Sequence, residues 1–348
     1  MEQGTVKKIR IIKRLSEALS FKPNREVIKR EVAKMKPIME FPKVNQAVYI
    51  FHAEQKPLIM NEIGRLRENC WKFYGYSTGN TIDIDFYDTN PNSCYKQIFI
   101  WDTKSHEILG GCRYVSMVEL REKLGFMPKY PEIHTFKLFS ASEQFLTEFL
   151  PQTVELQRVF VIPRIGPDLL DNSLKHAPFV LDNIFKTLGQ FIICKQNIAY
   201  VTGRATFPPS LFPEETTNKI IRLLHNNIAR YDLLLPKEKF RASVKDVTIP
   251  STAQSTVQSP TYKAPPTKSI SLLQNEYDPN DIPIILKIYL NLSDKIYFVG
   301  GIIHPELSNS VEIAIIVSIK DFFKKKKERY LTGKFTDKTP SASTSTDD

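Results

Sequence analysis

The sequence predicts an α/β fold, with a mixed central β-sheet flanked by helices on both faces. Apolar runs of strand length alternate with amphipathic runs of helical length through most of the chain. Two strand-like runs, residues 154–162 and 198–206, enclose a helical run at 177–196, which indicates a parallel βαβ crossover. In such a crossover the helix N-terminus points at the carboxyl end of the first strand, where anions bind.

The elements before this crossover are predicted from periodicity and turn residues. Apolar residues at helical intervals predict a helix over residues 57–74, and Gly75 is a suitable residue to end it. Two β-rich runs, residues 96–102 and 107–117, stand on either side of a polar segment and predict a hairpin.

The remaining elements are predicted in the same way. Residues 134–140 predict a strand, and residues 142–150 predict a helix that opens at Ser140 or Ser142. Pro213 and an acidic first turn predict the start of the next helix. Two further helices are expected over residues 213–231 and 278–292, the second with Asp281 near its start. Two strands over residues 295–301 and 311–322 and a basic helix end over residues 320–331 are expected to follow.

The chain is expected to form one domain with appendages. Residues 46–331 form the domain, and residues 1–45 alternate basic with aliphatic residues at loose helical spacing, which predicts a basic amphipathic extension. That extension is either a membrane-surface segment or a solvated helix packed on the domain. Residues 248–268, rich in Ser, Thr and Pro, predict a flexible insertion, and residues 332–348 predict a disordered tail.

The charge balance favours an anionic partner. The chain has 48 lysines and arginines against 38 acidic residues, a net charge of +10. Nucleic acid, anionic lipid headgroups and acidic proteins all suit such a surplus. Because no RNP-like, zinc-finger or helix-turn-helix pattern accompanies the charge, no nucleic acid is expected as a partner.

Cysteine usage and hydropathy indicate a cytoplasmic protein. The four cysteines form no CxxC pair and no disulfide-dense pattern. The N-terminal segment lacks the continuous apolar region of a signal peptide, and no stretch approaches the roughly 18 apolar residues of a spanning helix. Peripheral attachment to the inner face of an anionic membrane through the basic segments stays open.

The strand-like run 154–162 carries two charges that a buried strand would not be expected to carry. Glu155 and Arg158 are three residues apart, so their side chains point to opposite faces unless a bulge redirects one of them. Buried unpaired charge is costly, so each must be paired or reach a solvent-filled cleft. A structural ion pair is the alternative to a functional site.

Six segments in register carry a resemblance to a known family. The charged strand reads ELQRVFVIP, with Gln157 where the family usually has glycine, and GGCRYV contains Arg113. The other segments are DIDFYDTN, FVLDNIFKTLG with Asn183, YVTGRATF with Arg204, and IPIILKIYLNLSDKIYFVGG. Together they resemble the ornithine–acyl carrier protein N-acyltransferase, or hemolysin-like, branch of the GNAT superfamily, in particular Bacteroidetes members linked to N-acyl glycine lipids. The resemblance implies a GNAT-like sheet.

The resemblance also implies a reaction: transfer of a fatty or 3-hydroxy fatty acyl group to the α-amine of glycine or ornithine, in aminolipid synthesis. A protonated amine is no nucleophile, and Glu155 is the candidate that accepts its proton, directly or through water. The backbone amides of Val159 and Val161 are candidate donors to the oxyanion. Arg113 and Arg158 are candidates to bind the acceptor carboxylate through a bidentate fork.

The expected donor is acyl carrier protein, whose own phosphopantetheine carries the acyl group, so no tightly bound cofactor is expected. The donor phosphate is expected near the N-terminus of the helix at 178–194, with Arg164 and Asn183 as donor-binding candidates. The stretch RIGPDLLDNSLKHAPF lacks the tight glycine-containing turn with which related enzymes bind coenzyme A. Acyl-CoA stays open as the donor, and a catalytically silent binding protein of the same fold stays open as the function.

Other combinations of residues are less specific. Cys112 and His106 could form a nucleophile pair, but the Gly-Gly before Cys112 fits a bulge. The six histidines form no HxH, HxxxH or HExxH pattern, so no metal site is predicted. Asp83, Asp85 and Asp88 lack the spacing of a calcium loop and are expected in a solvated loop, with acceptor binding as the alternative.

Overall fold

The computed structural model describes residues 25–90, 94–163, 177–251, 282–293 and 295–332. Most of the predicted extension, most of the predicted insertion, nearly all of the predicted tail, and Arg164 lie outside these ranges. The division of the chain into a domain and appendages therefore stays a prediction.

An eight-stranded sheet forms the centre of the fold. Its strands, numbered in chain order, are β1 (Met39–Phe41), β2 (Gln46–Phe51), β3 (Lys96–Asp102), β4 (Glu107–Ser116), β6 (Thr153–Val161), β7 (Tyr200–Phe207), β9 (Ile296–His304) and β10 (Ser310–Ser318). Their order across the sheet is β1, β2, β3, β4, β6, β7, β10, β9. Among the strands that the structure describes, β6 and β7 are the one parallel pair, which confirms the predicted crossover. The short strands β5 (Phe139–Ala141) and β8 (Leu234–Pro236) form a separate antiparallel pair.

Helices cover both faces of the sheet, so the predicted fold class is confirmed. In chain order they are α1 (Arg25–Ala33), α2 (Pro57–Tyr74), α3 (Phe86–Thr89), α4 (Met117–Leu124), α5 (His134–Leu138), α6 (Ala177–Thr187), α7 (Glu214–Ile228), α8 (Ile284–Leu290) and α9 (Lys324–Tyr330). α6 continues through a π-helical segment, Leu188–Ile193, to a final turn at Cys194–Gln196. In the described part of the chain, each helix falls short of the length or the hydropathy that a membrane-spanning segment needs.

The predicted end of α2 illustrates how local sequence determines an element. Pro57 occupies the first helical position, where its missing N–H is not needed. Gly75 ends the helix with a φ of 84° and donates its N–H to the carbonyls of Lys72 and Trp71. The predicted bounds of this helix, of the hairpin β3–β4 and of the later strands β9 and β10 are confirmed to within a few residues.

Side chains alternate between the two faces of the sheet, and the face that we call polar carries the buried charged residues between two smaller apolar clusters. On the polar face, the register pairs Gln97 with Arg113 and Arg113 with Gln157. On the apolar face, Ile98 pairs with Cys112, and the main hydrophobic core lies there. α6, α7 and α8 cover the apolar face, whereas α2, α3 and α5 cover the polar face.

The prediction of a strand over residues 134–140 is wrong for most of its length. Residues 134–138 form α5, and only the following residues form β5. Tertiary contacts override the local propensity here, because the backbone N–H of His134 donates to the hydroxyl of Tyr95 at 3.0 Å. The helix expected next is a π-helical segment, Phe145–Phe149, and Ser142 opens it by accepting the N–H of Phe145 at 3.2 Å.

The close packing of α8 on β7 gives a test of the fold. A Cβ at Gly203 would collide with the buried hydroxyl of Tyr289. We expect Gly203→Ala to lower the free energy of unfolding by about 1–3 kcal/mol, measured by urea denaturation. Adding Tyr289→Phe should recover part of the loss, because it removes the atom nearest to the new methyl group. Gly301→Ala is the control, since its Cβ would meet the flexible end of Ile221 at 3.1 Å and the Cβ of Ala242 at 3.4 Å, both without a severe overlap.

Candidate active site

The site is an opening between the two parallel strands. β6 and β7 pair only through Thr153–Glu155 and Tyr200–Thr202, and then they part. A cleft with a volume of about 360 Å³ lies at this opening, bordered by α2 on one side and by α6 and α8 on the other. Its charged wall consists of Arg158, Arg204 and Glu312, with the polar residues Gln157 and Thr206 beside them, and Lys287 of α8 also lines the cleft. Its apolar wall includes Leu181, Pro208, Leu211, Phe212, Ile284 and Ile285.

A bulge explains how one strand carries both charges. Between the Gly111–Phe160 pair and the Arg113–Gln157 pair, β6 has two residues where β4 has one. Arg158 is the first of the two, and its φ of 50° lies in the left-handed region. This conformation costs a non-glycine residue about 1–2 kcal/mol, so other contacts must hold it. The bulge turns the Arg158 side chain onto the polar face, which already carries Gln157.

Arg158 is held by two carboxylates and also lines the cleft. Its Nε lies 3.1 Å from Asp83 Oδ2 and its Nη2 lies 3.3 Å from Asp85 Oδ2. Asp83 is buried and also accepts the indole N–H of Trp71 at 3.1 Å. The expectation of a solvated loop for the acidic stretch is therefore wrong, because its carboxylates pair with arginines that the sheet and α2 present.

Arg113 lies beneath this layer and away from the cleft wall. It is fully buried, with Nη1 3.1 Å from Asp88 Oδ1 and Nη2 3.0 Å from Asp85 Oδ2, and it donates to Gln157 at 2.5 Å. Its guanidinium also stacks 5.1 Å from the ring centre of Tyr95. Burial alone would lower the pKa of Arg113, but the charges of Asp88 and Asp85 outweigh it and raise that pKa well above its usual range.

Glu155 also lies behind the cleft wall. Its side chain is 1% exposed and accepts a hydrogen bond from the Gln157 amide. Its Oε1 lies 3.8 Å from Nη1 of Arg204, and its Oε2 has no hydrogen-bond partner among the described residues. The structure thus brings Glu155 and Arg158 onto one face, but only Arg158 lines the cleft.

Sequence reasoning missed the carboxylate that does line the cleft, Glu312. It lies on β10, where its Oε2 accepts from Nε of Arg204 at 2.9 Å and its Oε1 accepts from the Thr206 hydroxyl at 3.1 Å. Burial alone would raise the pKa of Glu312, but the charge of Arg204 outweighs it and holds that pKa below its usual range. A signal was available, since Glu312 is the one acidic residue in the apolar run VEIAIIVSI.

The donor-binding candidates fall in two places. Val159 and Val161 line the cleft on the edge of β6. The Ile162 N–H donates to the carbonyl of Leu109, on β4, at 2.9 Å. Successive residues of an extended strand direct their N–H groups to opposite sides, so the N–H of Val161 points toward the opening. Asn183 is buried away from the cleft wall and donates to Gln46 at 2.8 Å.

A group of possible metal ligands lies beside the charged wall. His134, His304 and Glu306 place ligand atoms within 4.8 Å of one another, which no sequence spacing indicated. However, Arg204 Nη2 lies 2.8 Å from His134 Nδ1, and because a guanidinium only donates, the ring proton must lie on Nε2. Burial, together with Arg204, lowers the pKa of His134 well below its usual range. We assign no metal to this group.

The sequence also raised a nucleophile pair, which the structure does not support. Cys112 is buried on the apolar face, in the main core, and burial raises the pKa of its thiol. His106 lies in the turn of the hairpin with its ring against Trp101, 6.2 Å between centres. Gly111 next to Cys112 instead allows close packing, because a Cβ there would meet the carbonyl oxygen of Ile98.

Comparisons with known proteins bear on the class of this protein. No family model matches the chain. A glycine N(alpha)-acyltransferase from Bacteroides thetaiotaomicron is 29% identical over 310 residues, which are 88% of this chain and 88% of that protein. A protein with the same name from Phocaeicola vulgatus is 29% identical over 310 residues, which are 88% of this chain and 90% of that protein.

Two solved structures have a weaker likeness. The AHL synthase LasI is 16% identical, with a TM-score of 0.31, over 51% of this chain and 78% of that one. The CoA-dependent acyl-homoserine lactone synthase BjaI is 13% identical, with a TM-score of 0.27, over 46% of this chain and 66% of that one. At these TM-scores the likeness carries no argument about this chain.

The similarity to the two curated relatives extends over most of the chain and includes the strand that carries Glu155 and Arg158. The chain is therefore an enzyme of the acyltransferase class. More narrowly, it is an N-acyltransferase similar to those of these two Bacteroidetes, which confirms the resemblance that the strand motif carried.

The buried ion pairs beneath the site predict an acid-sensitive fold. Asp88 Oδ2 lies 2.7 Å from Arg67 Nη2, and its other oxygen lies 3.1 Å from Arg113 Nη1. Burial would raise the pKa of Asp88, but the two arginines lower it below its usual range. We expect Asp88→Asn to cost about 3–5 kcal/mol of unfolding free energy at neutral pH, because it leaves buried arginine charge uncompensated.

The dependence on pH follows from the lowered pKa. Stabilisation by Asp88 is complete above about pH 4, the ordinary pKa of an unfolded aspartate, and decreases as the pH falls toward the lower folded value. Urea unfolding at a series of pH values should show that the wild type loses unfolding free energy as the pH falls below about 4. Asp88→Asn should lose less over the same range. Glu215→Gln, which removes an exposed pair with Lys219, is the control and should change little. Equal stability of Asp88→Asn and wild type would contradict the expectation.

Proposed function

We propose that this enzyme transfers a fatty acyl group from acyl carrier protein to the α-amine of glycine, as a step in the synthesis of N-acyl amino acid lipids. The observation that carries the proposal is the opening between β6 and β7, which joins an apolar wall to a charged wall. A fatty acyl thioester needs the first environment, and a zwitterionic amino acid needs the second. The two relatives are glycine N(alpha)-acyltransferases by name, which supports glycine as the acceptor.

The donor thioester would lie across the edge of β6. Its acyl chain would contact the apolar wall beside α6 and α8, where Leu181 and Ile285 lie. Its carbonyl oxygen would accept hydrogen bonds from the backbone N–H groups of Val159 and Val161. These bonds would stabilise the negative charge that develops on that oxygen. A rigid β-strand positions such donors before the reaction, so no reorganisation is needed when the charge appears.

The acceptor would occupy the charged wall. The amine nitrogen attacks the thioester carbonyl carbon, the C–S bond then breaks, and the donor leaves as its thiol after taking up a proton. Arg158 would hold the acceptor carboxylate from its position on the bulge. Arg113 does not line the cleft and would not touch the acceptor. It would instead orient Gln157 and Asp85 through its hydrogen bonds to them. The thiolate of a thioester is already a good leaving group and is protonated to the thiol as it departs, so this route needs no covalent enzyme intermediate.

Glu155 would receive the proton of the amine through water. Direct contact is blocked by Gln157 and Arg204, which lie between its carboxylate and the cleft. Its Oε2 has no hydrogen-bond partner among the described residues, so it can accept a proton without losing an existing bond. Asn183 would act only by supporting α6 through its contact with Gln46.

The test of this role is the isosteric change Glu155→Gln. We expect it to lower kcat by about 10²–10⁴-fold, the usual contribution of general acid–base catalysis, with little change in the donor KM. The measurement is mass spectrometry of N-acyl glycine formed from acyl carrier protein or acyl-CoA donors, and of lipids from a host that expresses the chain. Unchanged turnover in Glu155→Gln would refute the role of Glu155. No N-acyl amino acid from the wild type with either donor would refute the function.

A basic surface near the cleft would attract the donor protein. We define this basic surface as the exposed residues Lys320, Lys324, Lys325 and Arg329, on and before α9. α9 packs on α6, where Arg329 donates to Asp182 at 2.6 Å, one residue from the cleft-lining Leu181. Acyl carrier proteins are strongly acidic, so complementary charge would speed their approach to the opening.

Charge reversal tests this surface. Lys324→Glu with Lys325→Glu should lower kcat/KM for acyl carrier protein several-fold at low salt and leave kcat/KM for acyl-CoA nearly unchanged, because rim charges act mainly on association. The difference should disappear as salt rises and screens the charges. Lys219→Glu, on α7, is the control. Equal loss with both donors would contradict the assignment, and loss of binding to anionic vesicles alone would indicate a membrane-facing role instead.

A further inference from the structure

We propose that Glu312 binds the ammonium group of the acceptor amino acid, opposite Arg158, which binds its carboxylate. This inference rests on the proposed function and adds a residue that defines the acceptor class. Among the described residues that line the cleft, Glu312 is the one carboxylate. Both Glu155 and Glu312 are largely buried, but Glu312 lines the cleft, whereas Glu155 lies behind the wall.

The charges of the wall require such a residue. Arg158 and Arg204 both line the cleft, and a wall that presented only these two guanidinium groups would repel an ammonium group. Glu312 restores a negative charge on the same wall, next to Arg204. An amino acid carries both charges at neutral pH, so it is complementary to a wall with Arg158 and Glu312, whereas a simple carboxylic acid or a simple amine matches only half of it.

The hydrogen bonds of Glu312 leave room for a ligand. Each carboxylate oxygen can accept two hydrogen bonds. Oε2 accepts from Nε of Arg204 and Oε1 accepts from the hydroxyl of Thr206, so one lone pair on each oxygen stays available in the contacts that the structure describes. These two bonds fix the orientation of the carboxylate without exhausting its capacity, which is what a preorganised binding group requires.

The support behind Arg204 makes this arrangement rigid. His134 accepts from Nη2 of Arg204 at 2.8 Å, and Glu155 lies 3.8 Å from its Nη1. Arg204 therefore has neighbours on all three of its nitrogen atoms, with Glu312 at Nε. Glu155 also lies beside the Arg204 guanidinium, so Glu312 is not the sole negative charge that neutralises Arg204. Glu312 can therefore also bind a ligand.

A binding measurement tests the inference separately from turnover. Glycine is titrated by calorimetry into the full-length wild type and into Glu312→Gln, which keeps the shape and the acceptor for Arg204 but removes the charge. We expect the Kd of glycine to rise about 10-fold to 100-fold, the usual effect of losing a charge-assisted hydrogen bond. The affinity for glycolate, which has the carboxylate but no ammonium group, should stay the same or improve.

Further variants keep the inference falsifiable if Glu312→Gln is unstable. Thr206→Val removes the hydroxyl that orients Glu312 and should weaken glycine binding several-fold, again without weakening glycolate binding. Glu306→Gln, an exposed carboxylate paired with Lys137 outside the cleft, is the matched control and should leave glycine binding unchanged.

The outcomes separate the two proposals. Unchanged glycine affinity in Glu312→Gln and Thr206→Val, or equal losses for glycine and glycolate, would overturn the role of Glu312 while the acyltransfer to glycine stands. Absence of glycine binding to the wild type would overturn the inference. Glycine binding that depends on Glu312, without N-acyl glycine formation from either donor, would support the inference and refute the proposed function.

Discussion

The site depends on a layer of buried ion pairs on the polar face of the sheet. Arg67 of α2, Arg113 of β4 and Arg158 of β6 share the carboxylates of Asp83, Asp85 and Asp88. Each of these arginines would be very costly to bury alone, because an isolated charge loses its hydration. The layer therefore fixes the relative positions of α2, α3 and the two central strands, and it stabilises the left-handed conformation of Arg158.

The bulge on β6 and the parting of β6 from β7 are two aspects of one local geometry. A bulge bends its strand and increases the local twist. After Glu155, β6 stays paired with β4 but leaves β7, and the cleft lies in the resulting gap. The ion pairs at the bulge and the cleft between the strands are therefore linked, and a change that releases Arg158 from Asp83 would also alter the shape of the opening.

The sequence was informative where a pattern is local and poor where a partner is distant. Periodicity located β6, α6 and β7, and the charges of Glu155 and Arg158 identified the strand that carries the site. The same reasoning could not decide which way Arg158 points, because one extra residue in the register reverses the face. Glu312 stands out as the one acidic residue of an apolar run, but its place on the cleft wall depends on Arg204, 108 residues away in sequence. Sequence reasoning predicted a strand at His134 because the contacts of that residue with Tyr95 and Arg204 are also non-local.

The eight-stranded sheet consists of two antiparallel ribbons, one ending at β6 and the other at β7, which are joined edge to edge by a ladder of three residue pairs. Beyond that short ladder, the two edges face each other across the cleft. A ligand seated there touches both ribbons and takes the place of the missing ladder. Because such a ligand binds the folded chain and not the unfolded one, its binding free energy adds directly to the stability of the fold. An enzyme built in this way is least stable when it is empty.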